Sequence, residues 1–123
     1  MGGGNQSFED LKIWEDSIQL CNEVYACFRG CKDYGLRDQL QRSAVSIPSN
    51  IAEGFELHTN KAFIRHLYIA KGSCGELRTQ ILIAVQQLYI SHEEGIKLID
   101  KAKKLSSMIY LFIKARKSQI RTE

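Results

Sequence analysis

Cysteine and histidine are the side chains of this sequence best suited to metal binding. Cys27 and Cys31 lie about one helical turn apart, and with Cys21 or His58 they offer donor atoms of the kind that zinc requires. Structural zinc sites usually take paired ligands from loops or tight turns, whereas a cysteine on an apolar helix stripe packs as a small hydrophobic side chain. We therefore expect no metal site and expect Cys21, Cys27 and Cys74 in the core. Cys31 is predicted to be an exposed thiol.

No arrangement of residues in the sequence is typical of a helical-bundle enzyme. A di-iron centre requires Glu-x-x-His pairs on facing helices, and the sequence contains no such pair. His58, His66 and His92 are scattered, without the serine–aspartate or cysteine partners that nucleophilic catalysis needs. We expect a non-enzymatic protein without a cofactor.

Lysine and arginine concentrate at the C-terminal end and form a candidate phosphate-binding surface. Residues 97–123 hold eight Lys/Arg and two Asp/Glu, whereas residues 1–60 hold five and nine, in a chain whose net charge is +3. The candidate residues are Lys97, Lys101, Lys103, Lys104, Lys114, Arg116 and Lys117, with Arg121 beyond them. Such a cluster attracts RNA or DNA. An ordinary solvated helix face, or contact with the acidic helix of another subunit, is compatible with the same residues.

Two glutamates face the small-residue patches of the predicted second and third helices. We expect Glu53 and Glu76 to pair with Arg42 or Arg78. A polar pocket lined by the two carboxylates is the alternative.

The elements that must position these residues are four predicted helices in one domain. A chain of 123 residues with 44% hydrophobic and 25% charged residues has ordinary globular composition. Apolar periodicity predicts helices over about 8–29, 36–56, 60–90 and 92–117, after a flexible leader (1–7) and before a frayed basic tail (118–123). Short connections between the helices predict an all-α, antiparallel, up-and-down four-helix bundle.

The third helix has the clearest pattern, a heptad seam with spacing 4-3-4-3-4-3-4. Its members are Phe63, Leu67, Ala70, Cys74, Leu77, Ile81, Ala84 and Leu88. Thr59 is suited to cap this helix, and Ser91 with Glu94 forms a capping-box sequence for the fourth. Pro48 predicts a kink in the second helix. Gly72 and Gly75 are unfavourable inside a helix, so a packing or functional reason is expected for both.

The sequence indicates a cytoplasmic protein without a membrane span. Its apolar runs, such as residues 81–85, are far shorter than the ~18–20 residues that a span requires. No cationic and apolar export signal precedes the four cysteines, so a reducing compartment is expected.

Three stretches carry a family resemblance. They are Phe8 to Trp14 (FEDLKIW), Tyr34 to Gly54 (YGL followed by QLQRSAVSIPSNIAEG) and Ala70 to Gln80 (AKGS followed by EL and Q). In these stretches the chain resembles the bacterial four-helix bundle proteins encoded in intervening sequences of large-subunit ribosomal RNA genes, over about residues 8–113. It departs from them at residues 29–31, where a proline is common, and at Gln41, where a second arginine is frequent.

The resemblance implies further properties. That family is similar to the accessory variability protein of diversity-generating retroelements, a pentameric barrel with a basic surface that associates with reverse transcriptase and nucleic acid. A homopentamer is therefore implied here. The motif positions implied to serve helix packing and subunit contacts are Arg42, Ser46, Asn50, Glu53, Gly72, Ser73 and Glu76. The function expected is nucleic-acid association through basic surfaces. The alternative is an adaptor for a protein partner such as a reverse transcriptase or a ribosome-associated factor.

Overall fold

The computed structural model describes residues 6–120, which fold as four packed α-helices and a short 3-10 turn. The 3-10 turn is Phe8–Asp10, and the helices are α1 (Lys12–Phe28), α2 (Tyr34–Glu56), α3 (Asn60–Gln86) and α4 (His92–Lys117). Each of α2 and α4 packs against both α1 and α3. The predicted all-α four-helix bundle is confirmed. Most of the predicted leader and the predicted tail from residue 121 onward lie outside the described residues.

The α3 seam forms the centre of the core. Phe63 is almost completely buried, and the following seam residues from Leu67 to Ala84 are fully buried. The prediction that Leu88 is the last member of the seam is wrong, since Leu88 is 87% exposed. The reason is that α3 ends at Gln86 and Leu88 takes a left-handed φ of 65°. The N–H groups of Leu88 and Tyr89 bond to carbonyls of the last helical turn, which terminates the helix. Glycine usually occupies this position, so the sequence lacked the usual stop signal.

Side-chain caps start three of the helices. The side-chain oxygens of Thr59 and Ser91 each accept a hydrogen bond at 3.1 Å from the backbone N–H three residues later, as the sequence predicts. The Asp33 carboxylate caps α2 through the N–H of Leu36 in the same way, so α2 begins at Tyr34 rather than near residue 36. At the N-terminal end, extended backbone at Leu11 separates the 3-10 turn from α1 where one helix was predicted.

α2 runs as one helix through the buried Pro48, and the kink there stays a prediction. Its close approach to α3 depends on Gly54. A methyl group added at Gly54 would lie 2.7 Å from the Cβ atom of His66 and 3.3 Å from the Cα atom of Phe63. At Gly75, by contrast, an added methyl group would meet only the end of Arg78, at 4.0 Å. None of the described helices is long and apolar enough to cross a lipid bilayer.

Gly54→Ala is expected to lower the free energy of unfolding by about 1–3 kcal/mol, because the added methyl group forces α2 and α3 apart. Gly75→Ala is the matched control. It is expected to raise the free energy of unfolding by up to about 1 kcal/mol, because alanine is the better helix former and its side chain has room. Urea denaturation followed by circular dichroism measures both. Equal effects of the two substitutions would contradict the tight α2–α3 contact.

Candidate nucleic-acid interface

The seven candidate basic residues all lie on α4, but the structure divides them among different surroundings. One side of the helix carries, in order, Lys103, Tyr110, Lys114 and Lys117. They follow one another at intervals of seven, four and three residues, which is the spacing of one helix face. Lys101, on another side, reaches Glu23 of α1. Arg116 points into the bundle. The predicted set is therefore not one surface.

The side of α4 that meets α3 combines lysines with tyrosine rings. The ammonium of Lys114 lies 5.7 Å from the ring centre of Tyr110, and that of Lys71 lies 6.0 Å from the same ring. The ammonium of Lys117 lies 5.2 Å from the ring centre of Tyr68. We call this surface the tyrosine–lysine face. It consists of Tyr68, Lys71, Lys103, Tyr110, Lys114 and Lys117, with Lys103 assigned by its helical spacing.

The lysines of the tyrosine–lysine face have no carboxylate partner in the described part of the chain. Over residues 6–120, no carboxylate lies within 4.0 Å of the ammonium groups of Lys71, Lys103, Lys114 or Lys117. Hydrogen bonding to Tyr68 raises the pKa of Lys117 above its ordinary value, so this group stays protonated at neutral pH. The face therefore presents four positive charges to solvent.

The side of α4 that meets α1 is partly compensated. Lys101 Nζ donates to both carboxylate oxygens of Glu23, at 2.7 and 2.6 Å. Lys104 lines a shallow depression of about 190 Å³ that also contains the carboxylates of Glu23 and Asp16. Lys97 is exposed on the neighbouring turn. This side is a less favourable place for a polyanion than the tyrosine–lysine face.

Arg116 packs against two aromatic rings and bonds to the start of α3. Its guanidinium lies 5.0 Å from the ring centre of Phe63 and 5.2 Å from that of Phe112, and its Nη1 atom donates to Asn60 Oδ1 at 3.2 Å. Partial burial lowers the pKa of Arg116. The side chain connects α4 to the start of α3, and its guanidinium is partly covered by the two aromatic rings.

Several of the family-motif residues form a hydrogen-bond network between α2 and α3. Ser46 Oγ and Ser73 Oγ lie 2.8 Å apart, and Asn50 Nδ2 donates to the carbonyl and hydroxyl oxygens of Ser46 at 2.9 and 3.0 Å. These two contacts identify Nδ2 as the donor atom of the Asn50 amide, so its Oδ1 atom is an acceptor. Oδ1 accepts a hydrogen bond from His66 Nδ1 at 3.0 Å. His66 Nε2 then faces Glu53 at 3.8 Å. The sequence analysis treated His66 only as one of three scattered histidines and did not predict its place in this network, where it is only 8% exposed.

The expected glutamate–arginine pairing is wrong. Glu53 faces His66, and within the described residues neither Glu53 nor Glu76 lies within 4.0 Å of an arginine nitrogen. Arg42 and Glu76 are exposed, and Arg42 lines an open depression on the outside of α2. Neither joins the network. Positions that adjoin in the sequence motif thus lie on different sides of their helices.

The network joins two helices through hydrogen bonds among its own members. Ser46 and Ser73 bond to each other, and His66 bonds to Asn50. Among residues 6–120, no serine hydroxyl bonds to the His66 imidazole. The network holds α2 and α3 in one register.

The four cysteines differ in how deeply they are buried. Cys21 and Cys74 are buried, as predicted, and burial raises the pKa of the Cys74 thiol to about 11. Cys27 and Cys31 are half-buried; their sulfurs lie 3.8 Å from Glu94 Oε2 and the Asp33 carbonyl oxygen, respectively. The prediction that Cys27 lies in the core is therefore wrong, since this residue packs against the edge of the core, and Cys31 is less exposed than expected. No group of three or more metal-ligating side chains occurs within residues 6–120.

Comparison with known proteins places the chain among its relatives. The family model described as 23S rRNA-intervening sequence protein matches residues 9–111. The chain belongs to this family. No curated protein matches the sequence.

A solved structure shares the fold of this 23S rRNA-intervening sequence protein. It is a Bacteroides thetaiotaomicron protein of unknown function from the S23 ribosomal protein family, with a TM-score of 0.78 and 21% sequence identity. The match covers 83% of the present chain and 98% of the other. At this identity the likeness shows the fold alone. The resemblance found in the sequence motifs is therefore confirmed for family and fold.

In this 23S rRNA-intervening sequence protein, Asn50→Ala is expected to lower the free energy of unfolding by about 1–3 kcal/mol. The substitution removes the two bonds that Asn50 donates to Ser46 and leaves His66 Nδ1 without its hydrogen-bond partner at the helix interface. Ser49→Ala, at the exposed neighbouring position, is the control and is expected to change stability by less than about 0.5 kcal/mol. Urea titration measures both. A loss at Asn50 no larger than the loss at Ser49 would contradict a structural role for the network.

Proposed function

We propose that this protein is a non-enzymatic, oligomeric nucleic-acid-binding protein whose tyrosine–lysine face contacts the phosphates of RNA or DNA. The observation that carries the proposal is the set of four lysines on that face without a carboxylate partner among residues 6–120. Uncompensated lysines attract a polyanion and release its condensed counterions on binding. The expected cytoplasmic location is compatible with such a ligand.

The electrostatic contribution can be stated as a salt dependence. For a single strand, the slope of log affinity against log salt falls by about 0.7 for each phosphate that a lysine neutralises. If Lys71, Lys103, Lys114 and Lys117 each contact one phosphate, a single copy contributes a slope of about −2.8. One copy is a weak site at physiological salt, so several copies must act together for useful affinity.

A second exposed stripe supports self-association. Ile69, Gly72, Glu76, Thr79 and Ile83 of α3 recur at intervals of three and four, and all five are exposed in the single chain. Two of the five, Ile69 and Ile83, are large apolar side chains, and an exposed stripe with heptad spacing is typical of a helix that packs on another helix. Gly72 has no atom within 4 Å of an added methyl group, so within one chain no contact requires a glycine there. We assign the stripe to contact between copies, with the pentamer implied by the family resemblance as the expected assembly.

The same stripe offers a second candidate function. Its apolar residues are also suited to a helix of a different protein, such as a reverse transcriptase or a ribosome-associated factor. The protein would then act as an adaptor. The oligomeric state distinguishes the two functions.

The paired substitution Lys114→Glu/Lys117→Glu is expected to abolish measurable binding of a labelled 20-nucleotide RNA at 100 mM salt. The matched control, Lys97→Glu/Lys104→Glu, makes the same charge change on another side of the same helix and is expected to weaken binding by less than about tenfold. Fluorescence anisotropy at several salt concentrations measures both. Equal losses would show that net charge alone, and not the tyrosine–lysine face, governs binding.

The substitution Ile69→Glu/Ile83→Glu is expected to convert the oligomer to a folded monomer, because it places like charges in the proposed helix contact. Leu82→Glu/Ile96→Glu changes two comparably exposed apolar residues outside the stripe and should leave the assembly intact. Light scattering after size exclusion measures the mass. A wild-type chain that is monomeric at tens of micromolar would overturn the self-association proposal and favour the adaptor function.

A further inference from the structure

We infer that the tyrosine–lysine face is built for unpaired nucleotides, whose bases stack on Tyr68 and Tyr110 while Lys71, Lys114 and Lys117 hold the flanking phosphates. This inference rests on the proposed nucleic-acid function. It adds the ligand class: a single-stranded segment of RNA or DNA rather than a duplex.

The two rings have the exposure and placement of a stacking platform. Tyr68 on α3 and Tyr110 on α4 are 43% and 46% exposed, and both rings lie on the surface where these helices meet. Each ring has at least one ammonium group within about 6 Å of its centre. Aromatic rings interleaved with cations are the arrangement by which proteins bind single strands without sequence preference, since every base has a π-face and every nucleotide has a phosphate.

An open depression beside Tyr110 provides a place for a base. It has a volume of about 400 Å³ and is lined by Lys71, Ser106, Ser107, Tyr110 and Leu111. Leu111 and the Tyr110 ring offer apolar surface to the faces of a base, and the exposed Ser107 offers a hydroxyl to its edge. Lys71 supplies a positive charge beside the depression.

The geometry discriminates between single and double strands. In a duplex the base faces are stacked on one another, so a protein ring on a helix surface reaches only phosphates and groove edges. An unpaired base has a free face that a tyrosine can cover. On the other basic side of α4, the depression beside Lys101 and Lys104 is lined, within residues 6–120, by aliphatic, polar and charged side chains of α1 and α4 and by no aromatic ring. A preference for single strands should therefore depend on Tyr68 and Tyr110.

The test uses the full chain and three labelled 20-mers: a mixed-sequence single strand, the matched duplex, and an abasic strand that keeps the sugar–phosphate backbone but lacks bases. RNA and DNA versions of the single strand are both titrated. The wild-type protein is expected to bind the single strand at least about tenfold more tightly than the abasic strand at equal salt. Equal affinity for the two would overturn the stacking inference, and this measurement requires no substitution.

Tyrosine variants then assign the effect to the rings. Tyr68→Ala/Tyr110→Ala is expected to weaken single-strand binding about tenfold or more and to leave duplex binding within about twofold. Tyr68→Phe/Tyr110→Phe keeps the rings and should bind like the wild type. Tyr34→Ala is the matched control, since Tyr34 is 61% exposed and also has a cation, Arg37, 4.8 Å from its ring centre, at the start of α2. Circular dichroism establishes that each variant is folded.

The outcomes separate the two proposals. If the alanine pair binds single strands like the wild type while Lys114→Glu/Lys117→Glu does not bind, the stacking inference is wrong and the proposed function stands. If Tyr34→Ala weakens binding as much as the alanine pair, the stacking site is not on this face. A wild-type protein that binds none of the three probes at 100 mM salt overturns both proposals.

Discussion

The buried seam of α3 is the interaction on which the rest of the structure depends. Its apolar side chains, from Phe63 to Ala84, pack between α2 and α4 and thereby set the rotation of α3 about its own axis. The two sides of the helix that flank the seam then have defined neighbours. Ser73 and His66 meet α2, and Tyr68 and Lys71 meet α4. The stripe from Ile69 to Ile83 is left exposed, so one helix organises the core, the polar junction and both proposed contact surfaces.

The α2–α3 junction adds specificity to this apolar packing. An apolar seam alone tolerates a shift of one helix along the other, because leucine and isoleucine have no directional contacts. The network from Ser73 through Asn50 to His66 satisfies its polar atoms in one register. Gly54 allows the backbone approach that brings His66 into reach of Asn50. Close packing and hydrogen bonding therefore support the same arrangement.

The positive charge that each lysine of α4 presents to solvent depends on the residues beside it, and not on the composition of the helix. Lys101 and Lys114 are both exposed lysines of one helix, yet one is held by Glu23 and the other lies near an aromatic ring. A formal net charge of +3 does not distinguish them. On the other side of α4, Glu23 of α1 pairs with Lys101, so positive charge is less concentrated there than on the tyrosine–lysine face.

The sequence by itself determined the number of helices, the α3 seam as far as Ala84, and the caps at Thr59 and Ser91, because periodicity and capping are local properties of the chain. It also carried the family motif. Tertiary structure decided where α3 ends, since no glycine marks the left-handed residue at Leu88. It also decided that Glu53 faces His66 and that Tyr68 and Tyr110 share a surface with Lys71, Lys114 and Lys117. These contacts join residues distant in the chain, and they form only when packing sets the rotation of each helix against its neighbours.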